Sequence, residues 1–419
     1  MANVFVPNTL IIQPGERNKQ GYLPALVCLA VLYFMLGFIT CMNDTLVPFF
    51  KKGFTLTYTE SSLVQFYFFL TYGLFSIPAG KVIEKVGYQN GMICGFLLAA
   101  AGALIFFPAS VFHVYYLFLA ALFIIALGIV FMQVAANPYI IILGSPATAS
   151  ARLNLIQSVG SAGTIVAPLF GAYFILPKLQ VSGSSEAVKY PYVGIAVVLI
   201  LISIVVARLN LPRLGSSQQL KKNDRVNHGA ARSAFSFRNL NLGAFGIFFM
   251  VGIEIAIASF LTNFVADTLH ISAHRANQYV AFYWIGMLVG RLVGVVLLRF
   301  IKPTFMLVAN SLISIVLILI SINSTGNIAV WSLISVGLFN SVLFGIIFSL
   351  ATRGLGKYMT QASGILSTAI SGGAAIVLIQ GVLIDKTSWA TAFLIPVICY
   401  CYIIFYGIHG YKSRYSDPV

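Results

Sequence analysis

Charged residues are scarce in this sequence. Asp, Glu, Lys and Arg together make up 8% of the 419 residues, whereas about 25% is usual in a soluble domain. Hydrophobic residues make up 59% of the chain, and the mean hydropathy is +0.94. This composition excludes an ordinary soluble domain and predicts a polytopic membrane protein. A cleaved signal peptide is not expected, because the first apolar segment is too long and further apolar segments follow it.

Several signals of enzyme or cofactor chemistry are also missing. The five cysteines all fall in apolar segments and have no disulfide or zinc spacing. No GxxxxGK[ST] motif is present, so direct use of ATP is not expected. We therefore predict that the protein is not an enzyme and binds no cofactor.

Charge-free runs mark the predicted membrane spans, because a spanning helix needs about 20 apolar residues. They predict an all-α membrane protein with twelve transmembrane helices. The predicted helices cover roughly 22–48, 60–83, 89–108, 113–141, 152–176, 191–210, 241–267, 275–299, 303–322, 327–351, 359–384 and 389–410. Within the longest runs, breaks are expected at FFPAS (106–110) and at NSTGN (323–327).

The distribution of basic residues predicts the orientation. If the N-terminus is cytoplasmic, nineteen of the 25 Lys and Arg residues fall on the cytoplasmic side. Both termini are therefore expected inside. The net charge of +15 is then an orientation signal, and no nucleic-acid partner is predicted.

An internal repeat appears when the chain is shifted by 210 residues. The polar stretch 211–239 divides the spans six and six, and the shift superposes residues of like type from the two sides. The superposed pairs include Gly80-Lys81 with Gly290-Arg291, Ser161 with Ser371, Gly163 with Gly373, and Asp44 with Glu254. We predict an N-terminal half (1–210), a cytoplasmic linker (211–239) and a C-terminal half (240–419). Two parallel six-helix halves are the major facilitator fold, in which the site lies between the halves near the midplane.

Asp44 and Glu254 are the two acids deepest in apolar sequence. An acid in a span is costly, so it usually faces a cavity and marks an ion or substrate path. The repeat places both at equivalent points of the first and seventh helices, where they are expected to face the central cavity. The alternative for Asp44 is a hydrated residue at the end of its helix.

Polar side chains recur along several spans. Gln133 and Asn137 are four residues apart, and Asn154 and Gln157 are three apart, so each pair shares a helix face. Amides both donate and accept hydrogen bonds, as sugar hydroxyls do. They suit a neutral polyol better than a phosphate, which would require basic residues inside the spans. The predicted substrate-binding residues are Gln65, Tyr72, Gln133, Asn137, Asn154, Gln157 and Asn263. The alternative is that each amide only joins neighbouring helices.

The sequence resembles the fucose–galactose–glucose symporter family of the major facilitator superfamily over nearly its whole length. The resemblance is carried by GFITCMNDTLVPFF (37–50), QVAANPYIIILG (133–144), RLNLIQSVGSAG (152–163) and GIEIAIASFL (252–261), among other segments. It implies a monomeric, multi-pass secondary transporter of the plasma membrane (the bacterial inner membrane). Its expected partners are a small-molecule sugar and the lipid bilayer.

The resemblance also implies residue roles. In the fucose branch, the aspartate matching Asp44 and a glutamate at the position of Gln133 serve sugar binding and proton coupling. Because a glutamine cannot titrate, the resemblance favours the glucose/galactose branch, which includes sodium-coupled members. Asp44, Asn43, Thr45 and Gln133 are the predicted Na⁺ ligands, and Asp44 or Glu254 would carry H⁺ if protons drive transport.

Lys81 and Arg291 are predicted gating residues, since the superfamily uses this loop as an inner gate. The alternative is that both serve orientation only. Three alternatives for the function also stay open: a proton-coupled symporter, for instance of fucose; the same fold with another polar or amphipathic cargo; and a sugar sensor that does not transport.

Overall fold

The computed structural model describes residues 22–53, 58–175, 185–209, 211 and 233–412, and within these ranges the protein is almost entirely helical. The described residues form twelve helices, which are α1 (Tyr22–Gly53), α2 (Tyr58–Val86), α3 (Tyr88–Phe112), α4 (Tyr115–Ile142), α5 (Ala149–Phe170), α6 (Lys189–Arg208), α7 (Arg238–Leu269), α8 (Ala273–Leu297), α9 (Pro303–Asn323), α10 (Gly326–Asn340 and Leu343–Ala351), α11 (Met359–Thr368 and Gly372–Lys386) and α12 (Trp389–Phe405). Within the described ranges, eleven regions are long and apolar enough to cross a membrane. The predicted all-α membrane fold is confirmed.

The two sets of six helices pack in the same pattern. In the first set α1 lies against α5, and α3 lies against α4 and α6. In the second set α7 lies against α11, and α9 lies against α10 and α12. The contact of α1 with α5 requires glycine, because a Cβ atom on Gly37 would lie 2.0 Å from the carbonyl oxygen of Gly160. Small residues of this kind let helix backbones approach closely inside a bilayer.

The break predicted at 106–110 occurs a few residues later. Helix α3 continues through Pro108 to Phe112. A proline inside a helix frees one backbone carbonyl, and membrane-spanning helices tolerate this. The helix ends instead at His113, which adopts the left-handed conformation with φ 51°. Helix α7 begins at Arg238, two residues before the predicted start of the second half.

Two of the predicted continuous helices are interrupted near the middle of their spans. In α10 the regular helix stops at Asn340 and resumes at Leu343. In α11 a 3₁₀ turn over Ala369–Ser371 separates two α-helical segments. The spans predicted over 327–351 and 359–384 are present, but the sequence did not predict their interruptions, neither of which contains proline.

One end of the bundle is called the linker end here. It is the end at which α6 stops at Arg208 and α7 starts at Arg238. Even-numbered helices stop there and odd-numbered helices start there, because successive helices are antiparallel. The loops that follow α7 and α11 lie at the opposite end.

Candidate functional site

A polar cluster lies within the first half where α1, α4 and α5 meet. The hydroxyl of Tyr33 on α1 donates a hydrogen bond to Oδ1 of Asn137 on α4, and it also bonds the side chain of Gln157 on α5. Tyr72 on α2 is 2% exposed and interacts electrostatically with Tyr33. The structure thus brings Asn137, Gln157 and Tyr72 together around Tyr33.

Several amide atoms of the first half are buried without a hydrogen-bond partner among the described residues. They are Oε1 of Gln133, Nδ2 of Asn137, Oδ1 of Asn154 and Oε1 of Gln157. A buried polar atom left unpaired costs about 1–3 kcal/mol. Donors and acceptors on α4 and α5 are therefore available to a polar ligand or to water.

The second half holds a charged pair. The charges of Glu254 on α7 and Arg291 on α8 interact, and the hydroxyl of Tyr283 donates to the backbone carbonyl of Glu254 (3.4 Å). Nε of Arg291 donates to the carbonyl of Ser341 (3.1 Å), at the interruption of α10. Its Nη1 crosses to the first half and donates to Oγ of Ser161 on α5. Arg291 therefore connects the acid of the second half to the first half.

Other hydrogen bonds between the halves lie toward the linker end. They join Tyr88 to Thr360 (2.8 Å), Gln361 to Glu84 (3.0 Å), Ser363 to the carbonyl of Val134 (2.9 Å), Asn154 to the carbonyl of Val342 (3.4 Å) and Ser150 to Ser349. Helices α2 and α11 come very close there, since a Cβ atom on Gly364 would lie 2.8 Å from the carbonyl oxygen of Ser76. The halves are therefore closed against each other at the linker end.

Lys81 and Arg291, although equivalent in the repeat, occupy different environments. Arg291 is partly buried and bonds both halves. Lys81 is exposed near the end of α2 and makes no hydrogen bond or ion pair within the described residues. The repeat thus predicts their position on the helix but not their contacts.

The remaining predicted site residues are not part of the Tyr33 cluster. Asn154 is fully buried against Gly345 near the linker end. Asn263 is exposed and lines a cavity at the opposite end. Asn43, Asp44 and Thr45 lie on α1 and Gln65 lies on α2, but their side chains are outside the described residues. The sodium-ligand prediction therefore stays a prediction.

Sequence reasoning missed the residues that connect the cluster. Tyr33 had no distinguishing signal, because it is one of many aromatic residues in charge-free spans. Ser161 appeared only as a repeat match, and Tyr283 was not singled out. Arg291 was predicted to be a gating residue, but its contact with Ser161 depends on how α5 and α8 pack.

The spanning helices form two bundles that are closed against each other at one end. Polar and charged side chains lie between the bundles. This arrangement is that of a membrane transporter. A family model described as Major Facilitator Superfamily matches residues 29–378, and the chain belongs to that superfamily.

Relatives and solved structures agree with this assignment. A glucose/galactose transporter of Brucella abortus biovar 1 (strain 9-941) is 43% identical over 97% of this chain and 98% of its own length. An L-fucose-proton symporter of Escherichia coli (strain K12) is 29% identical over 94% of this chain and 95% of its own. A crystal structure of the superfamily transporter FucP in the outward conformation superposes with a TM-score of 0.82, at 28% identity, over 92% of this chain and 98% of that one.

Proposed function

We propose that this protein is a secondary active hexose importer that works by alternating access. The buried unpaired amide atoms of Gln133, Asn137 and Gln157 carry the proposal, because sugar hydroxyls can satisfy both donors and acceptors. The glucose/galactose transporter related over nearly the whole chain supports glucose, galactose or a similar hexose as cargo.

The coupling ion of the proposed mechanism is Na⁺. Asp44 supplies a negative charge, and Asn43, Thr45 and Gln133 supply neutral oxygens. The observation in favour of protons is the relationship to an L-fucose-proton symporter. Proton-coupled transport is therefore the second candidate, with Asp44 or Glu254 as the carrier.

The proposed orientation places both termini, and hence the linker end, in the cytoplasm. The closure of the halves at the linker end then makes this conformation outward-facing, which fits its similarity to FucP in the outward conformation. Arg291 stabilises this outward-facing state through its hydrogen bond to Ser161. To import one sugar, the two halves must separate at the linker end and close against each other at the opposite end.

Uptake into proteoliposomes tests the function. We expect labelled glucose or galactose to accumulate when an inward Na⁺ gradient is imposed, and not when Na⁺ is equal on both sides. Full uptake on an inward proton gradient without sodium would make the protein a proton symporter. Sugar binding without uptake under either gradient would indicate a sensor. If the protein neither binds nor takes up hexose, hexose is excluded as the cargo.

Truncating Gln133 tests the sugar contact. Gln133→Ala removes an amide whose Oε1 is unpaired among the described residues, so one sugar hydroxyl would lose its partner. We expect about a ten-fold weaker affinity for hexose, since such a loss costs about 1–3 kcal/mol. Calorimetric titration of the purified protein measures it. The matched control is Gln89→Ala, because the Gln89 amide donates to the carbonyls of Val206 and Leu209 where α6 ends, at the linker end. If Gln133→Ala and Gln89→Ala bind hexose with equal affinity, Gln133 does not contact the sugar.

A further inference from the structure

A cavity of about 450 Å³ lies at the end of the bundle opposite the linker. It is formed where α7 and α11 end and α12 begins. Its polar and aromatic lining comes from Phe260, Asn263, Asp267, Asp385 and Trp389. Its volume is within the range of about 300–1,000 Å³ found for small-molecule sites.

The geometry of Trp389 defines one wall of this cavity. Its indole N–H donates to Oδ2 of Asp267 (3.1 Å). Its ring stacks on Phe393 at an interplanar angle of 22° and meets Phe264 edge-on. The indole is therefore fixed from three sides. A fixed aromatic face beside two carboxylates and an amide offers apolar contact together with acceptors for hydroxyl donors.

The repeat indicates that the fold itself does not require these polar residues. A shift of 210 residues matches Phe260 with Phe50 and Gly381 with Gly171, so the packing residues recur. The polar residues do not recur, because Asn263, Asp267 and Asp385 correspond to Gly53, Thr57 and Ile175. The first half thus carries no carboxylate or amide at the equivalent sequence positions.

We propose that this cavity is a second hexose-binding site, separate from the Tyr33 cluster, that receives sugar at the external entrance. The proposal rests on the proposed hexose transport. The carboxylates of Asp267 and Asp385 and the amide of Asn263 bind the hydroxyls of the sugar, and Trp389 packs against its carbon–hydrogen face. Two carboxylates beside an aromatic residue suit a neutral polyol with several donors.

The tryptophan content of the chain allows a direct test. There are three Trp residues, so the double substitution Trp284→Phe/Trp331→Phe leaves Trp389 as the only indole. We expect a saturable fluorescence change when D-glucose or D-galactose is added to this purified protein. Adding Asp385→Asn should raise the sugar concentration that gives the half-maximal fluorescence change about ten-fold, because a charged hydrogen-bond acceptor is lost. Adding Gln133→Ala, one helical turn from Asn137 on α4, should leave it intact.

The outcomes separate this site from the transport function. A response that disappears with Gln133→Ala and persists with Asp385→Asn would show that Trp389 reports the central site, and would overturn the proposal. Sodium-driven hexose uptake without any Trp389 response would also overturn it while leaving the proposed function in place. Asn263→Ala is a second variant with the same expected loss, should Asp385→Asn fail to fold. A Trp389 response that both pocket variants weaken supports the site even if no uptake occurs.

Discussion

Replacing Asp44 with asparagine is expected to abolish accumulation of hexose against its gradient while leaving slow exchange down the gradient. Asn keeps the size of the side chain and removes its charge. Na⁺ would then enter an uncharged site and lose an ion–carboxylate attraction worth about 4 kcal/mol at 4 Å near a protein surface. Transport of sugar would no longer be tied to transport of the ion.

Counterflow separates coupling from folding. Exchange of labelled for unlabelled hexose across preloaded proteoliposomes needs an intact sugar site but no ion gradient, so it should persist in Asp44→Asn. Asp224→Asn is a matched control, because it removes one carboxylate from the polar stretch 211–239, which contains none of the proposed site residues. If Asp44→Asn still concentrates sugar on a sodium gradient, the coupling role passes to Glu254. Asp44 would then be a hydrated residue at a helix end.

Substituting Arg291 is expected to cause the second large loss. Arg291→Met removes the hydrogen bonds to Ser161 and to the carbonyl of Ser341 and leaves the charge of Glu254 without its nearby cation. Glu254 and Arg291 are both partly buried, and leaving one charge of such a pair uncompensated costs up to about 3–5 kcal/mol. We expect uptake to fall about a hundred-fold and the linker end to open more often.

Cysteine accessibility detects that opening. A single Ala151→Cys, introduced near the linker end of α5 after the five native cysteines are replaced, should react with a maleimide several-fold faster in Arg291→Met. Lys81→Ala is the control, because Lys81 is exposed and unpaired within the described residues. Glu254→Gln/Arg291→Met should recover part of the thermal stability lost in the single variant, because no uncompensated charge remains. If neither Arg291→Met nor Lys81→Ala speeds the maleimide reaction, both residues have an orientation role only.

The sequence predicted the spans well because long apolar runs have few structural alternatives. It did not predict the interruptions of α10 and α11, because Asn340 and Ser371 resemble other small polar residues in spans. His113 likewise gave no signal of the left-handed conformation that ends α3. These features depend on packing between helices, which a single chain does not encode locally.

The site was predictable as a set of residue types but not as an arrangement. Helix periodicity correctly placed Gln133 with Asn137 on one face, and Asn137 and Gln157 do meet around Tyr33. Periodicity carries no information about rotation between helices. It therefore grouped Asn154 and Asn263 with that cluster, although they lie toward opposite ends of the bundle.

Several groups in the contacts that close the linker end have a second hydrogen-bond partner within their own half. Nδ2 of Asn154 bonds the carbonyl of Val342 across the halves, but it also bonds the carbonyl of Ser150 on its own helix (2.9 Å). The carbonyl of Val342 also accepts from the N–H of Ile346 (3.2 Å), and Ser349 bonds the carbonyl of Ile346 (3.0 Å). When the halves separate here, each of these groups keeps a partner. Parting these contacts therefore leaves none of these three groups unpaired, which lowers the cost of separating the halves in the proposed alternating-access cycle.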